Sequence, residues 1–294
     1  MTTSSEEARY PKNPLPAQHQ PKPGIEGKLN PRPLYKGSDY KAAGKLEGKV
    51  AIITGADSGI GRSVAVLYAK EGAKIVFTYL EEEASDADET VAVIEELGGE
   101  VECIAGDLKD YAFCEKVVQK AIDSYGQIDI LVNNAAFQNH VESLEKLSLE
   151  QWDKTFKTNI YGYFYMSKAV LPHLKDGSAI INTGSITGMD GSSELLDYSA
   201  TKGAIHAFTK SLAQSLVERR IRVNCVAPGP VWTPLNPSDR DADEIKSFGQ
   251  STPYKRPAQP EEIAPAYVYF ASNADSSYVT GEIISLLGGK TTAS

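Results

Sequence analysis

Val50-Ala51-Ile52-Ile53-Thr54-Gly55-Ala56-Asp57-Ser58-Gly59-Ile60-Gly61 is the stretch that decides how this chain folds. Its apolar start, rich in β-branched residues, predicts a buried strand from Val50 to Ile53. The three glycines predict a tight turn, and the following residues a helix from Arg62 to about Glu71. Such a turn points backbone N–H groups and the positive end of a helix at one spot, where a pyrophosphate binds. On that reading Gly55 allows the turn, Gly59 a close backbone approach and Gly61 tight helix packing. The spacing is GxxxGxG rather than GxGxxG, so on the loop alone a purely structural turn stays open.

Outward from this loop, short β-branched runs alternate with helical stretches from Gly48 onward. Strands are expected at Val50 to Ile53, Ile75 to Tyr79, Val101 to Ala105, Ile128 to Asn133, Ala179 to Thr183, Arg222 to Val226 and near Ile283 to Leu287. Seven strands joined by crossover helices predict one α/β domain over 45–294, a Rossmann-type doubly wound parallel sheet whose ligands bind at the carboxyl ends of its strands. Asp107 follows the third of them and can hold an adenine edge. Asn133-Asn134-Ala135-Ala136 ends the fourth, where small residues let a ribose or ring approach the backbone. Either feature alone is also an ordinary Asx turn.

Tyr198-Ser199-Ala200-Thr201-Lys202 places a phenol and an ammonium one helical turn apart. One such pair is expected by chance among 15 tyrosines, so its weight comes from Ser185 and the glycine loop. Carbonyl reduction by a nicotinamide needs a proton donor beside the developing alkoxide. Tyr198 can donate it, and Lys202 can stabilise the phenolate of a group whose ordinary pKa is about 10. Ser185, in Thr183-Gly184-Ser185-Ile186-Thr187-Gly188, offers a hydroxyl to polarise the substrate oxygen, although a turn serine is the simpler reading of that residue by itself. No hydrolase arrangement competes, since Ser185 lacks a G-x-S-x-G elbow. His206 reads as a structural histidine and takes no role.

The 294 residues carry a net charge of −9 and a pI near 5.1, which argues against a nucleic-acid partner. Cys103, Cys114 and Cys225 lie far apart in apolar stretches and read as buried thiols, with no metal-ligand spacing. The first residues lack a basic, apolar leader and no run of about 18 apolar residues occurs, so a cytoplasmic chain without a membrane span is expected. Seven of the 16 prolines fall between Pro11 and Pro33. Residues 1–44 therefore read as an arm unable to form a core, either a disordered tail or an extended strap laid over the domain or a neighbouring subunit and anchored by Tyr10, Leu15, Leu34 and Tyr35. The acidic run Glu81-Glu82-Glu83, with Asp86, Asp88 and Glu89, reads as the solvated first turns of a helix.

TGxxxGIG, the Asn-Asn-Ala stretch, Asn159 in Thr158-Asn159-Ile160-Tyr161-Gly162, Ser185, YxxxK and Pro228-Gly229-Pro230-Val231-Trp232-Thr233 occur in the order found in the short-chain dehydrogenase/reductases. The chain resembles that family from Gly48 to about Lys290. The resemblance implies cofactor contacts at Gly55, Ser58, Gly59, Ile60 and Gly61, at Tyr79, Asp107, Leu108, Asn134 and Ala135, and at Pro228 and Gly229. It implies that Lys202 binds the nicotinamide ribose and that Val231 and Thr233 hold the carboxamide. Asn159, otherwise a mid-helix polar residue, would open its helix and hold a water in a proton relay with Tyr198 and Lys202. Family members are commonly homotetramers.

Ala136 stands where relatives usually have glycine, and Leu287 where an acidic residue often precedes the last Gly-Gly. The second strand ends in Thr78-Tyr79-Leu80, without the aspartate usual in NAD-specific relatives and without an arginine for a 2′-phosphate. The proline-rich arm, with Pro16 to Gly24 and Phe248 to Pro253, resembles a bacterial branch of NADP-dependent aldehyde reductases and general-stress oxidoreductases. That tips the expected cofactor to NADP, with NAD or dual use close behind, and the arm is expected to cross a subunit boundary.

The reading is an enzyme that moves hydride between a nicotinamide and a small carbonyl or alcohol, without a metal, most simply an aldehyde reductase. A sugar or polyol dehydrogenase, a 3-oxoacyl reductase, or a nucleotide-sensing stress protein without turnover are the rivals. The segment 231–252 is expected to be the substrate lid, with Trp232, Leu235 and Phe248 lining an apolar pocket or simply packing.

Overall fold

The run Val50–Thr54 forms β1, buried along its whole length, near the middle of a seven-stranded sheet. The computed structural model describes residues 10–291. Lys74–Tyr79 (β2), Val101–Ala105 (β3), Ile130–Asn133 (β4), Ala179–Thr183 (β5), Arg222–Pro228 (β6) and Ile283–Leu286 (β7) complete the sheet. All pairings are parallel and the order is β3-β2-β1-β4-β5-β6-β7. The seven expected strands are all present. The fourth starts two residues later than expected because Asp129 turns its carboxylate onto the Val50 N–H at 2.9 Å.

Crossovers run through Gly59–Lys70 (α1), Ala84–Glu96 (α2), Tyr111–Tyr125 (α3), Leu149–Phe156 (α4), Gly162–Val170 (α5), Thr187–Asp190 (α6) and Leu196–Leu216 (α7). Ala242–Ile245 (α8) and Pro260–Ala271 (α9) precede the last strand. Successive strand residues point to opposite faces, so Ile53 and Phe77 join α1, α2 and α9 in one core while Ile52 and Val76 join α3, α5 and α7 in another. The chain leaves β1 toward β2 and β3 on one side and resumes at β4 on the other. That reversal opens a crevice at the carboxyl ends of β1 and β4.

The arm follows the extended-strap reading and not the disordered one. From residue 10 it lies over its own domain, and Leu15, Leu29 and Tyr35 are buried. Leu15 and Leu29 pack with Trp232, Ile245 and Phe248, while Tyr35 joins the core beneath α1. Leu15 N–H bonds Lys246 O, Gln20 N–H bonds Pro237 O and the Trp232 indole N–H bonds Pro31 O. A segment without periodicity thus contributes to cores because each anchor fills a hollow in a surface that the domain supplies. Tyr10 stacks under Arg256 and Leu34 pairs with Glu261 through the backbone. Residues 1–9 of the arm lie outside the described residues.

The acidic run divides. Glu81 and Glu82 are exposed, as expected of a solvated turn, but Asp86 is buried and accepts the Glu26 and Gly27 N–H groups. Glu89 takes the guanidinium of Arg32. Amphipathic placement put these carboxylates on the face of α2 that the arm covers.

Candidate active site

Strand β1 and helix α1 meet at Gly55–Gly59, with the helix starting at Gly59, three residues before the expected Arg62, and the turn is tight for a steric reason. A Cβ on Gly61 would sit 2.0 Å from Gly55 O and 2.6 Å from Asn134 Nδ2, and Gly59 has φ +53°. Gly61 therefore lies behind the loop and does not face the cleft, a correction to its expected cofactor contact. The Gly59 N–H, aimed by the sequence reading at a pyrophosphate, donates instead to the buried Glu26 carboxylate of the arm at 2.6 Å. Glu26 also pairs with Arg62, itself wholly buried and bonded to Asp57 O and Asp86 O. Burial pushes the Glu26 carboxyl up to about 7 and the Asp57 carboxyl up to about 6.

A cleft of about 540 Å³ runs along the carboxyl ends of the strands. At the β1–β3 end it is lined by Gly55, Ser58, Gly59 and Ile60, then by Tyr79, Asp107 and Leu108. Asn134 and Ala135 form its floor, and Asn134 Nδ2 is tied to Thr54 O and Gly55 O. At the other end Ser185, Tyr198 and Lys202 meet Pro228, Gly229, Val231 and Thr233. Of the expected site residues, Gly61 and Asn159 do not reach the cleft wall.

Helix α7 carries Tyr198 and Lys202 on its buried face. Its first turn is held by Asp197, whose carboxylate accepts the Tyr198 N–H, Thr155 Oγ1 and Gln151 Nε2. Ser185 Oγ accepts two bonds from Thr187, leaving its O–H for the Tyr198 phenol. Burial raises the Tyr198 phenol above its ordinary range while the Ser185 bond lowers it. Lys202 Nζ sits 5.3 Å from the Tyr198 ring centroid and donates to Thr183 O at 2.7 Å. Burial without a carboxylate partner brings this ammonium down to about 8.

Asn159 lies in a wider π turn, Lys157–Tyr161, between α4 and α5, so the expected opening of its helix is there. Its side chain is committed to protein groups: Oδ1 accepts Phe137 N–H at 2.8 Å, and Nδ2 donates to Phe137 O and Thr201 Oγ1. It therefore anchors the loop after β4.

Two residues given no role in the sequence, His206 and Asp239, also shape the site. His206 packs behind the serine loop, where its Nε2 accepts the Ser185 N–H at 3.4 Å. Burial and the cations Lys202 and Lys210 hold this imidazole down to about 4, so it is neutral. Asp239 accepts Gln138 Nε2, the His140 N–H and His140 Nδ1, and pairs with Lys22 of the arm at 3.1 Å. Those partners outweigh burial and hold its carboxyl well below the usual range. Only the one-turn spacing of His206 after Lys202 was a signal in the sequence.

Leu235 and Phe248 line the cleft, but Trp232 does not. It is fully buried among Leu15, Leu29 and Ile245, held under the arm. Among the described residues no group of three His, Cys, Asp or Glu can hold a metal, and no helix is long and apolar enough to cross a membrane. The three cysteines are free, with Cys114 and Cys225 buried and Cys103 half-buried.

The residues suit a nicotinamide dinucleotide. Small residues line the floor, Lys202 has donors beyond its single bond to Thr183, and Asp57 Oδ2 is buried at the cleft without a protein partner. Residues 55–291 match the family model described as enoyl-(acyl carrier protein) reductase. The chain belongs to the short-chain dehydrogenase/reductase family.

Among relatives in that family, the glucose and ribitol dehydrogenase of Daucus carota is 47% identical, covering 93% of this chain and 96% of its own. The chloroplastic NADPH-dependent aldehyde reductase 1 of Arabidopsis thaliana is 46% identical, covering 91% and 94%. A short-chain dehydrogenase from Burkholderia cenocepacia, solved with NADP, superposes with a TM-score of 0.77 at 30% identity over 83% of this chain and 98% of that one. The short-chain dehydrogenase/reductase chain is an oxidoreductase that uses a nicotinamide cofactor and acts on a small molecule.

Proposed function

We propose that the protein is an aldehyde reductase that takes NADP, with NAD as the alternative cofactor. The observation that carries the reading is the contact set of Ser185, Tyr198 and Lys202 at one end of a cleft long enough for a dinucleotide. The cofactor, when bound, supplies the hydride. Ser185 holds the substrate oxygen, and the Tyr198 O–H gives that oxygen its proton as the carbonyl carbon is reduced. Lys202, buried beside the phenol, stabilises the tyrosinate left behind and offers its free donors to ribose hydroxyls. Asn159 supports the set by fixing Phe137 and Thr201, and Asn134 by fixing the glycine loop. Val231 and Thr233 hold the carboxamide, while Tyr79, Asp107 and Leu108 receive the adenosine. The segment 231–252 is the substrate lid, and residues 10–44 are its strap.

The NADP preference is supported by the Arabidopsis relative named as NADPH-dependent and by the neighbour solved with NADP. The carrot relative, named for glucose and ribitol, favours a polyol dehydrogenase as the second reading. Exposed Trp152, Tyr161 and Phe164 on and beside α4 and α5 support the expected homotetramer. The test is a titration with NADPH and NADH followed by cofactor fluorescence, with an aldehyde panel and a polyol panel added to each. Aldehyde-dependent NADPH oxidation supports the reading. NADH preference with polyol turnover moves it to the dehydrogenase, and binding without any turnover overturns both.

A further inference from the structure

The two ends of the cleft differ in charge: the β1–β3 end holds every carboxylate of the lining and one cation, Lys109, which pairs with Asp107. The carboxylates that line it, Asp57, Glu82, Glu83 and Asp107, all follow β1, β2 or β3. The end beyond β4 has none in its lining and has three cations besides Lys202: Lys22 of the arm, Lys154 of α4 and Arg240 of the lid. Lys22 and Lys154 approach the same Phe137 ring, at 5.6 and 4.2 Å from its centroid. Lys22 is neutralised by Asp239 and bonds Gln138 O at 2.8 Å. Neither Lys154 nor Arg240 has a carboxylate within ion-pair distance among the described residues. The nearest acids in sequence are spent elsewhere, since Asp239 is held by Lys22 and His140, and Asp153 pairs with Lys157. Arg240 rests against Phe248, and its Nε is buried without a hydrogen-bond partner. A half-buried guanidinium that lines a cleft and has no carboxylate partner is a site for an oxyanion.

We propose that the substrate is an aldehyde or ketone bearing an anionic group, a carboxylate or a phosphate, which Arg240 and Lys154 hold while Ser185 and Tyr198 act on the carbonyl. This rests on the reductase reading above and names the substrate class of that same site. Lys22 is a positioning residue: by joining Gln138 to Asp239 it fixes the wall between Phe137 and the lid, so that the two free cations face one volume.

The test compares kcat/KM for matched pairs, succinic semialdehyde against butanal and glyceraldehyde 3-phosphate against glyceraldehyde. A preference of about tenfold or more for the anion in at least one pair is expected, the scale of one charge-assisted hydrogen bond. The pair that shows it identifies carboxylate or phosphate. Arg240→Met and Lys154→Met each reduce the preference, the cofactor Kd stays within about twofold, and added salt shrinks the preference as screening requires. Equal turnover within both pairs, or a preference unchanged in both variants, overturns the proposal. If no aldehyde is reduced, the reductase reading fails, and calorimetry of succinate and glycerol 3-phosphate on the cofactor complex still reads the anion site. Binding weakened by Arg240→Met sustains it, and no binding of either anion overturns it.

Discussion

The Glu26 carboxylate accepts the Gly59 N–H at 2.6 Å, joining the proline-rich arm to the first turn of the nucleotide loop. With Arg62 it forms a buried pair beneath α1. The arm is thereby part of the loop that the glycines shape, and its loss reaches the cleft through one side chain.

That relationship has a pH signature. The Glu26 carboxyl is raised from 4.5 to about 7, so between these values the native chain holds a proton that the unfolded chain releases. Stability falls as pH rises through that window, by up to about 1.4 kcal/mol per pH unit. Glu26→Gln removes this contribution. Its Tm is expected to depend less steeply on pH between 5 and 7 than that of the wild-type chain, and an unchanged slope refutes the assignment.

His206 has the opposite sign. Its imidazole is lowered from 6.5 to about 4, so in that window the unfolded chain takes up a proton that the native chain does not. Stability from this residue is complete above pH 6.5 and lost as pH falls toward 4. His206→Gln is expected to flatten the acid limb of a Tm profile. It should also reduce kcat by loosening the Ser185 loop, an effect that stopped-flow single turnovers resolve.

Tyr198→Phe leaves the ring packed and removes the proton donor. The expected loss in kcat is about a hundredfold to ten-thousandfold, with cofactor Kd nearly unchanged by fluorescence titration. Turnover at the wild-type rate excludes Tyr198 as the acid.

Gly61→Ala drives a Cβ into Gly55 O, a backbone atom that cannot move without opening the turn. Cofactor affinity is expected to fall at least about tenfold and Tm to drop with it. Native affinity in this variant contradicts the close approach of α1 to the loop.

Leu29→Ala hollows the cluster that joins the arm to Trp232 and Phe248. Unfolding stability is expected to fall by about 2–4 kcal/mol. Because Phe248 and Leu235 line the cleft, KM for the carbonyl should rise more than the cofactor Kd. Equal changes in both would place the arm's effect at the nucleotide loop alone.

Sequence alone determined the strand set, the glycine turn and the pairing of Tyr198 with Lys202. Each is local: a β-branched run, a positive φ, or a one-turn helical spacing declares itself within a few residues. Asn159 showed only its helix position, and its bonds to Phe137 depended on where the loop after β4 returned. Tertiary structure alone decided the rest. Glu26 meets Gly59 across 33 residues and Lys22 meets Asp239 across 217, through an arm with no periodicity to read. The arm's anchors are single side chains set into hollows built by distant elements, and only folding brings hollow and anchor together. Trp232 followed the same rule: its composition suited a substrate pocket, but the path of Leu15 and Leu29 over it made it core.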